Sequence, residues 1–164
     1  MDVARPQGFK GQGFSLKGDK NRFVLPTVFR QPVKDASRGA KTICLDKHDR
    51  WNCLIGFGTS RVDGFEALLD RDQAIYGKDF DRDMRAQQLY GCEETPFDDS
   101  GRMVIPEHLL GLVGASDQLF FRGAGEFILI WSPVELGRMG AGWESAQAAC
   151  ATFAAAAAQK GGKA

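Results

Sequence analysis

Two short stretches carry the side chains with the greatest chemical reach. In the first, Lys17, Lys20, Asn21 and Arg22 sit on a turn built around Gly18-Asp19, with Lys10 close in sequence. Lysine neutralises phosphates as a point charge, and the planar guanidinium of arginine makes paired hydrogen bonds to guanine O6 and N7. A tight turn between strands limits the entropy such side chains lose on docking. The chemistry these residues suit is contact with double-stranded DNA, and Lys10, Lys17, Lys20, Asn21 and Arg22 are the candidates, Arg22 foremost. The bland alternative is that Arg22 closes its own turn by pairing with Asp19. The second stretch is Asp98-Asp99-Ser100-Gly101-Arg102. Its neighbours Glu93, Glu94, Asp98 and Asp99 repel phosphate, so Arg102 is expected chiefly to hold its turn or an oligomer contact, with DNA contact as the lesser role.

Other reactive residues lead to blander readings. Cys44, His48 and Cys53 follow the spacing C-x3-H-x4-C, which matches no usual zinc pattern, so packed cysteines and an exposed turn histidine are expected. Ser100 lies in D-D-S-G-R rather than G-x-S-x-G, and His108 has no nucleophile near it in sequence. Gly11-Gln12-Gly13 and Gly123-Ala124-Gly125 do not extend to a dinucleotide fingerprint, and no P-loop is present. The expectation is a protein that is not an enzyme, with no catalytic residue, metal, cofactor or small-molecule substrate. Phe120, Phe121, Phe127 and Trp131 are expected in a core or interface rather than stacked on bases.

The elements that must position the basic turn follow from the 164 residues, 43% of them apolar and 26% charged. Formal net charge is zero, yet residues 1–50 hold eleven Lys and Arg against five Asp and Glu, while residues 51–100 hold five against eleven. A chain polarised in this way can carry a basic face at a neutral overall charge. No run approaches the length of a transmembrane helix, and Met1-Asp2-Val3-Ala4-Arg5 lacks a signal-peptide core, so a cytoplasmic protein with reduced cysteines is expected. The 20 glycines favour a turn-rich, β-rich build.

An internal repeat sets the architecture. At an offset of 80, Asp19 meets Asp99, Arg22 meets Arg102, Val24 meets Val104 and Pro26 meets Pro106, with Leu25 opposite Ile105. Asn21 stands opposite Gly101, and both residue types tolerate a left-handed turn. Each copy reads as a strand, the turn, a short strand and a proline that opens a short helix. A hairpin follows, Thr42–Leu45 with Trp51–Ile55 in the first copy and Gln118–Phe121 with Phe127–Trp131 in the second. Val62, Phe65, Leu68 and Leu69 predict a helix, and Lys78–Arg85 a solvated helix face or linker. Beyond Trp143, nine of the thirteen residues from Ala146 to Ala158 are alanine, which predicts a weakly packed, fraying helix.

The tandem motifs, with Phe9-Lys10-Gly11, Leu25-Pro26 and Trp51 in one half and D-x-x-G-R-x-x-I-P and Ile130-Trp131 in the other, resemble the MraZ family of bacterial transcriptional regulators. The resemblance covers roughly residues 9–145. The usual first motif of that family has Asp four residues before the arginine and Gly just before it; here those positions hold Gly18 and Asn21. The resemblance implies an α+β, β-rich fold of two tandem swapped-hairpin, AbrB-like small β-barrel domains with short helices. Residues 7–78 form the basic, DNA-facing domain, residues 79–145 the second, and residues 146–164 the Ala-rich tail. It also implies a ring-shaped homo-oligomer, nucleoid-associated, that represses transcription from short direct repeats upstream of its own division and cell-wall gene cluster. The alternatives are a protein-interaction ring without a DNA role and a toxin-neutralising AbrB-like regulator.

Overall fold

The computed structural model describes residues 8–161. The chain runs β1 (Gln12–Leu16), β2 (Phe23–Val24), α1 (Thr27–Ala36), β3 (Thr42–Lys47), β4 (Leu54–Phe57), α2 (Phe65–Tyr76) and α3 (Arg82–Tyr90). It continues with β5 (Glu93–Pro96), β6 (Arg102–Met103), α4 (Glu107–Leu112), β7 (Gln118–Gly123), β8 (Ile128–Trp131), α5 (Pro133–Gly137) and α6 (Glu144–Gly161). The fold is α+β, and every strand pairing is antiparallel.

Both expected hairpins form, as β3–β4 and β7–β8, and each takes a strand from the other half of the chain. β1 pairs with β7 and β5 with β3, giving one sheet in the order β1-β7-β8-β4-β3-β5. The two outer strands do not pair with each other, so among the described residues no barrel closes. The small closed barrel expected in each half is replaced by one open six-stranded sheet to which both halves contribute. The register is unchanged when the halves are exchanged: Leu16↔Gln118 in β1–β7 corresponds to Pro96↔Thr42 in β5–β3. The separate β2–β6 ribbon is centred on Phe23↔Met103, which occupy the same position in the two motifs, and β4–β8 is centred on Ile55↔Leu129.

Strand alternation divides the core in two. Leu119, Phe121, Ile128 and Ile130 join Phe23, Leu25, Phe29, Val33, Met103 and Ile105 beneath α1, α4 and the ribbon. Phe120, Leu129 and Trp131 point to the opposite face, where α5 and α6 cover them. All of β8 is therefore buried on both sides. The Ala-rich helix packs better than its composition predicts. Ala146, Cys150 and Phe153, spaced by four and three, lay one stripe on Phe120 and Trp131, and Trp143 meets Trp131 edge-on at 5.3 Å. The small alanines let its backbone approach the sheet closely, and the helix continues to Gly161. Pro26 and Pro106 stand at the N-caps of α1 and α4, one position before the first turn. The charged segment 78–85 runs into α3, whose first turn is capped by the Asp81 carboxylate accepting from Met84 N at 3.0 Å.

Candidate nucleic-acid interface

The β2–β6 ribbon shows how a two-residue pairing can assemble a site from residues far apart in sequence. Phe23 and Met103 face inward and are buried, and so are Leu25 and Ile105. By period-two alternation, Arg22, Val24, Arg102 and Val104 then share the outer face. Val24 lies directly opposite Arg102. Arg22 is two residues along the same face, so the two motif arginines have Cα atoms roughly 8 Å apart. No single stretch of sequence displays this pair.

The turns that lead into the ribbon hold their arginines differently. In the second turn, Asp98 Oδ1 accepts from Ser100 N and Arg102 N, each at 2.9 Å, and Asp98 Oδ2 accepts from Arg102 Nε at 2.7 Å. The Arg102 backbone N–H, ahead of the side-chain bond, holds the Asp98 carboxyl below the usual carboxylate range. In the first turn the corresponding residue is Gly18, which has no carboxylate to offer. Gly18 N donates to Arg22 O at 2.7 Å, and Arg22 Nε donates to the Asp19 carbonyl at 3.2 Å. The bland alternative, Arg22 closing its turn on Asp19, takes the form of a bond to backbone rather than to the carboxylate. Both arginines are held through Nε alone, and their terminal guanidinium nitrogens meet no acceptor among the described residues. Lys20 and Asn21 adopt left-handed conformations, at φ 59° and 58°, where the second turn places Gly101 at φ 81°.

Lys17, Lys20 and Asn21 are exposed beside Arg22 on the first turn. Lys10 is exposed too, but it lies beyond the opposite end of β1, a strand roughly 15 Å long. It sits where Phe9 bridges Gly125, away from the turn it neighbours in sequence. Residues that sequence reasoning did not single out gather at the second turn instead. A small cleft there is lined by Arg30, Lys34 and Lys41 of the first half together with Asp98 and Asp99. Lys41 Nζ reaches Asp99 at 2.5 Å and holds that carboxyl low. Arg30 Nε donates to Leu25 O at 2.8 Å, against Gly101. The acidic second turn is therefore answered by cations that strand exchange brings to it. The excess of basic residues before position 50 was the only sequence signal of this, and it did not say where they would lie.

The Cys44, His48, Cys53 group is not a cluster of ligands. His48 is buried rather than exposed at a hairpin tip, because its ring stacks on Trp51 at 4.5 Å and meets Phe127 edge-on. Its Nδ1 accepts from Arg50 N at 3.0 Å and Trp51 N at 3.1 Å, which closes the β3–β4 loop. Burial, opposed by Asp49, lowers its pKa. Cys44, Cys53 and Cys150 are buried free thiols, and burial pushes Cys53 up to about 12. Cys92 is also a free thiol, half-buried beside β5.

No family model matches the chain. Several relatives do. A transcriptional regulator MraZ of Parvibaculum lavamentivorans is 31% identical over 126 residues, covering 76% of this chain and 76% of the relative. The protein of the same name from Rhodospirillum rubrum is 31% identical over 119 residues, 71% of this chain and 74% of the relative. That from Caulobacter vibrioides is 28% identical over 113 residues, 69% of each. With identity at this level running through most of both chains, this protein belongs to the MraZ family of transcriptional regulators.

Proposed function

We propose that this chain is a non-enzymatic, sequence-specific DNA-binding repressor whose β2–β6 ribbon docks in the major groove. The observation that carries this reading is the pair Arg22 and Arg102 on one exposed face, each with its terminal guanidinium nitrogens unengaged by the protein among the described residues. The major groove of B-DNA admits a two-stranded ribbon, and guanidinium groups there read guanine bidentately. Lys17 and Lys20 flank Arg22, and Arg30, Lys34 and Lys41 flank the second turn, at positions suited to phosphate contact. Asn21 shapes the first turn, and Lys10 reaches more distant phosphate from the other end of β1. In this reading residues 7–78 supply most of the cations, residues 79–145 supply Arg102 and assembly surface, and α6 of the Ala-rich tail braces the sheet.

One ribbon makes few phosphate contacts, and each contributes a salt slope of only about −0.9. Useful affinity requires several ribbons held together. A homo-oligomeric ring meeting short direct repeats upstream of its own division and cell-wall genes supplies that through effective concentration. The relatives' shared name, transcriptional regulator, agrees with such a role.

The test is a fluorescence-anisotropy titration of DNA from immediately upstream of the gene, at two salt concentrations, beside scrambled DNA. Wild type binds the upstream DNA selectively, with an affinity that falls steeply with salt and rises with the number of repeats. Arg22→Ala loses selectivity while oligomer mass stays unchanged. Equal binding to both DNAs, or no effect of the substitution, overturns the proposal. Loss of the oligomer in Arg22→Ala favours the protein-interaction ring instead.

A further inference from the structure

A second site lies away from the ribbon, in a cavity of about 930 Å³ between α2, α3, α4 and the loops of both hairpins. Its size is that of small-molecule pockets, while its walls are as polar as they are apolar and set Asp46, Asp49, Asp72 and Glu126 among the cations. One of those cations is Arg61, on the turn that follows β4. Its Cζ lies 4.8 Å from the ring of Phe57, 5.4 Å from Phe65 and 5.4 Å from Phe127, so aromatic rings from both halves of the chain enclose it. The side chain is only 21% exposed, and its nearest carboxylate, Glu126, stands at 3.8 Å. That distance screens charge without making a hydrogen bond. No acceptor among the described residues takes any of the guanidinium N–H groups of Arg61. Arg85 stands beside it, with Asp49 at 3.7 Å and Gln88 at 3.3 Å as its partners.

The Arg61 side chain lies largely on ring faces. Its guanidinium N–H groups stay open to solvent with no acceptor among the described residues, so an anion that takes them displaces only water. Desolvation pulls the Arg61 pKa down, and Glu126 only partly restores it. Cation–π contact compensates the charge but leaves the guanidinium N–H donors without an acceptor among the described residues. Arg61 lines the cavity, and an oxyanion placed there accepts from the unused fork. The apolar walls at Phe65, Leu68 and Phe127 then suit a flat or branched hydrocarbon body attached to it.

We propose that this cavity binds a small organic anion, a carboxylate or phosphate monoester carrying an apolar body, with Arg61 as its anchor and Arg85 as a second cation. The site stands apart from the DNA-binding reading and does not depend on it.

The test uses the full-length protein and three probes: phenyl phosphate, benzoate and the neutral benzyl alcohol, titrated by calorimetry and by saturation-transfer NMR. One or both anions bind saturably and benzyl alcohol at least tenfold more weakly. The tighter anion assigns the phosphate-bearing or carboxylate-bearing class. Arg61→Gln weakens the better anion at least tenfold, with a thermal melt confirming the fold. Glu126→Gln, a change at an exposed residue, removes the competing carboxylate and tightens the anion severalfold. Absence of saturable binding, equal binding of benzyl alcohol, or undiminished binding in folded Arg61→Gln overturns the proposal. If Arg61→Gln does not fold, failure of Glu126→Gln to tighten binding overturns it on its own.

Discussion

Replacing Gly101 by alanine probes the construction of the second turn directly. Gly101 sits at φ 81°, and its carbonyl accepts from Leu25 N at 2.7 Å, tying the turn to the start of α1. A Cβ there would lie 2.4 Å from Arg30 Nε and 2.6 Å from the Leu25 carbonyl oxygen. Arg30 is the far end of a flexible side chain and can move, but doing so breaks its 2.8 Å bond to Leu25 O, and that oxygen is backbone. The left-handed conformation costs an alanine about 1–2 kcal/mol. Losing a charge-assisted bond to a backbone acceptor costs about 1.5–3 kcal/mol more. The expected loss is therefore about 2.5–5 kcal/mol, which for a chain of this length lowers Tm by roughly 5–20 °C. Urea unfolding followed by tryptophan fluorescence reads it, since Trp131 is fully buried. Asn21→Gly is the matched control at the corresponding position of the first turn, where φ is 58°. It should stay within about 0.5 kcal/mol of wild type or exceed it, because glycine removes strain there while adding unfolded-state freedom. A Gly101→Ala protein within about 1 kcal/mol of wild type would refute the close-packing account, as would an equal loss in Asn21→Gly.

Gly18→Asp gives the first turn the carboxylate that Asp98 gives the second. Gly18 is extended, with only Arg22 O within 4 Å of its added Cβ, so the variant should gain about 1 kcal/mol in urea unfolding; a loss of stability would sink the turn analogy. His48, buried with a lowered pKa, ties pH to stability. Its folded pKa lies below the ordinary 6.5, so its contribution is complete above that value and is lost as pH falls below it toward the folded pKa. The denaturation midpoint should drop between about pH 7 and pH 5, less so in His48→Gln, and equal slopes in the two proteins would contradict the assignment. Truncation after Met139 removes α6 and Trp143, exposing Trp131 and Phe120, both fully buried in the intact chain. About 3 kcal/mol or more should be lost, with red-shifted tryptophan emission, and an unshifted spectrum would show that α6 does not cover them.

The local elements were legible because their signals are local. Apolar runs joined by short polar loops marked both hairpins, and Phe65, Leu68 and Leu69 marked α2. The offset of 80 between motifs placed the two turns. What the residues could not show is which strand pairs with which. Each hairpin has an open edge, and the hydrophobic pattern of β1 fits the edge of β3 as well as that of β7; only the compact arrangement of both halves selects β7. The surroundings of Arg102 depended on that selection. Read along the chain it sits among carboxylates, whereas the structure sets it across the ribbon from Val24 and near Arg30, Lys34 and Lys41. His48 escaped for a related reason: a polar residue in a short loop reads as exposed unless an aromatic from the other hairpin, here Phe127, closes over it. The ring cage of Arg61 was equally invisible, since Phe127 lies far from Phe57 and Phe65 in sequence.

Strand exchange also explains how a chain of zero net charge can present a cationic surface. Residues 51–100 hold eleven acidic side chains, and of the four that lie on α2 and α3 three stand against arginines there. Asp70 accepts Arg82 at 2.9 Å, Glu66 stands 3.9 Å from the same arginine, and Asp72 stands 3.9 Å from Arg71. At the ribbon the balance runs the other way. Asp98 and Asp99 are matched by Arg102 and Lys41, which leaves Arg22, Arg30, Lys17, Lys20 and Lys34 with Asp19 as the acidic residue of the first turn. The pair of motif arginines exists only while β2 pairs with β6, because one half supplies Arg22 and the other Arg102. Breaking that pairing, for example with Phe23→Ala at a fully buried position on its centre, costs about 3–5 kcal/mol and separates the arginines. The proposed DNA affinity should therefore fall in step with ribbon stability, although Phe23 itself faces the core and touches no ligand.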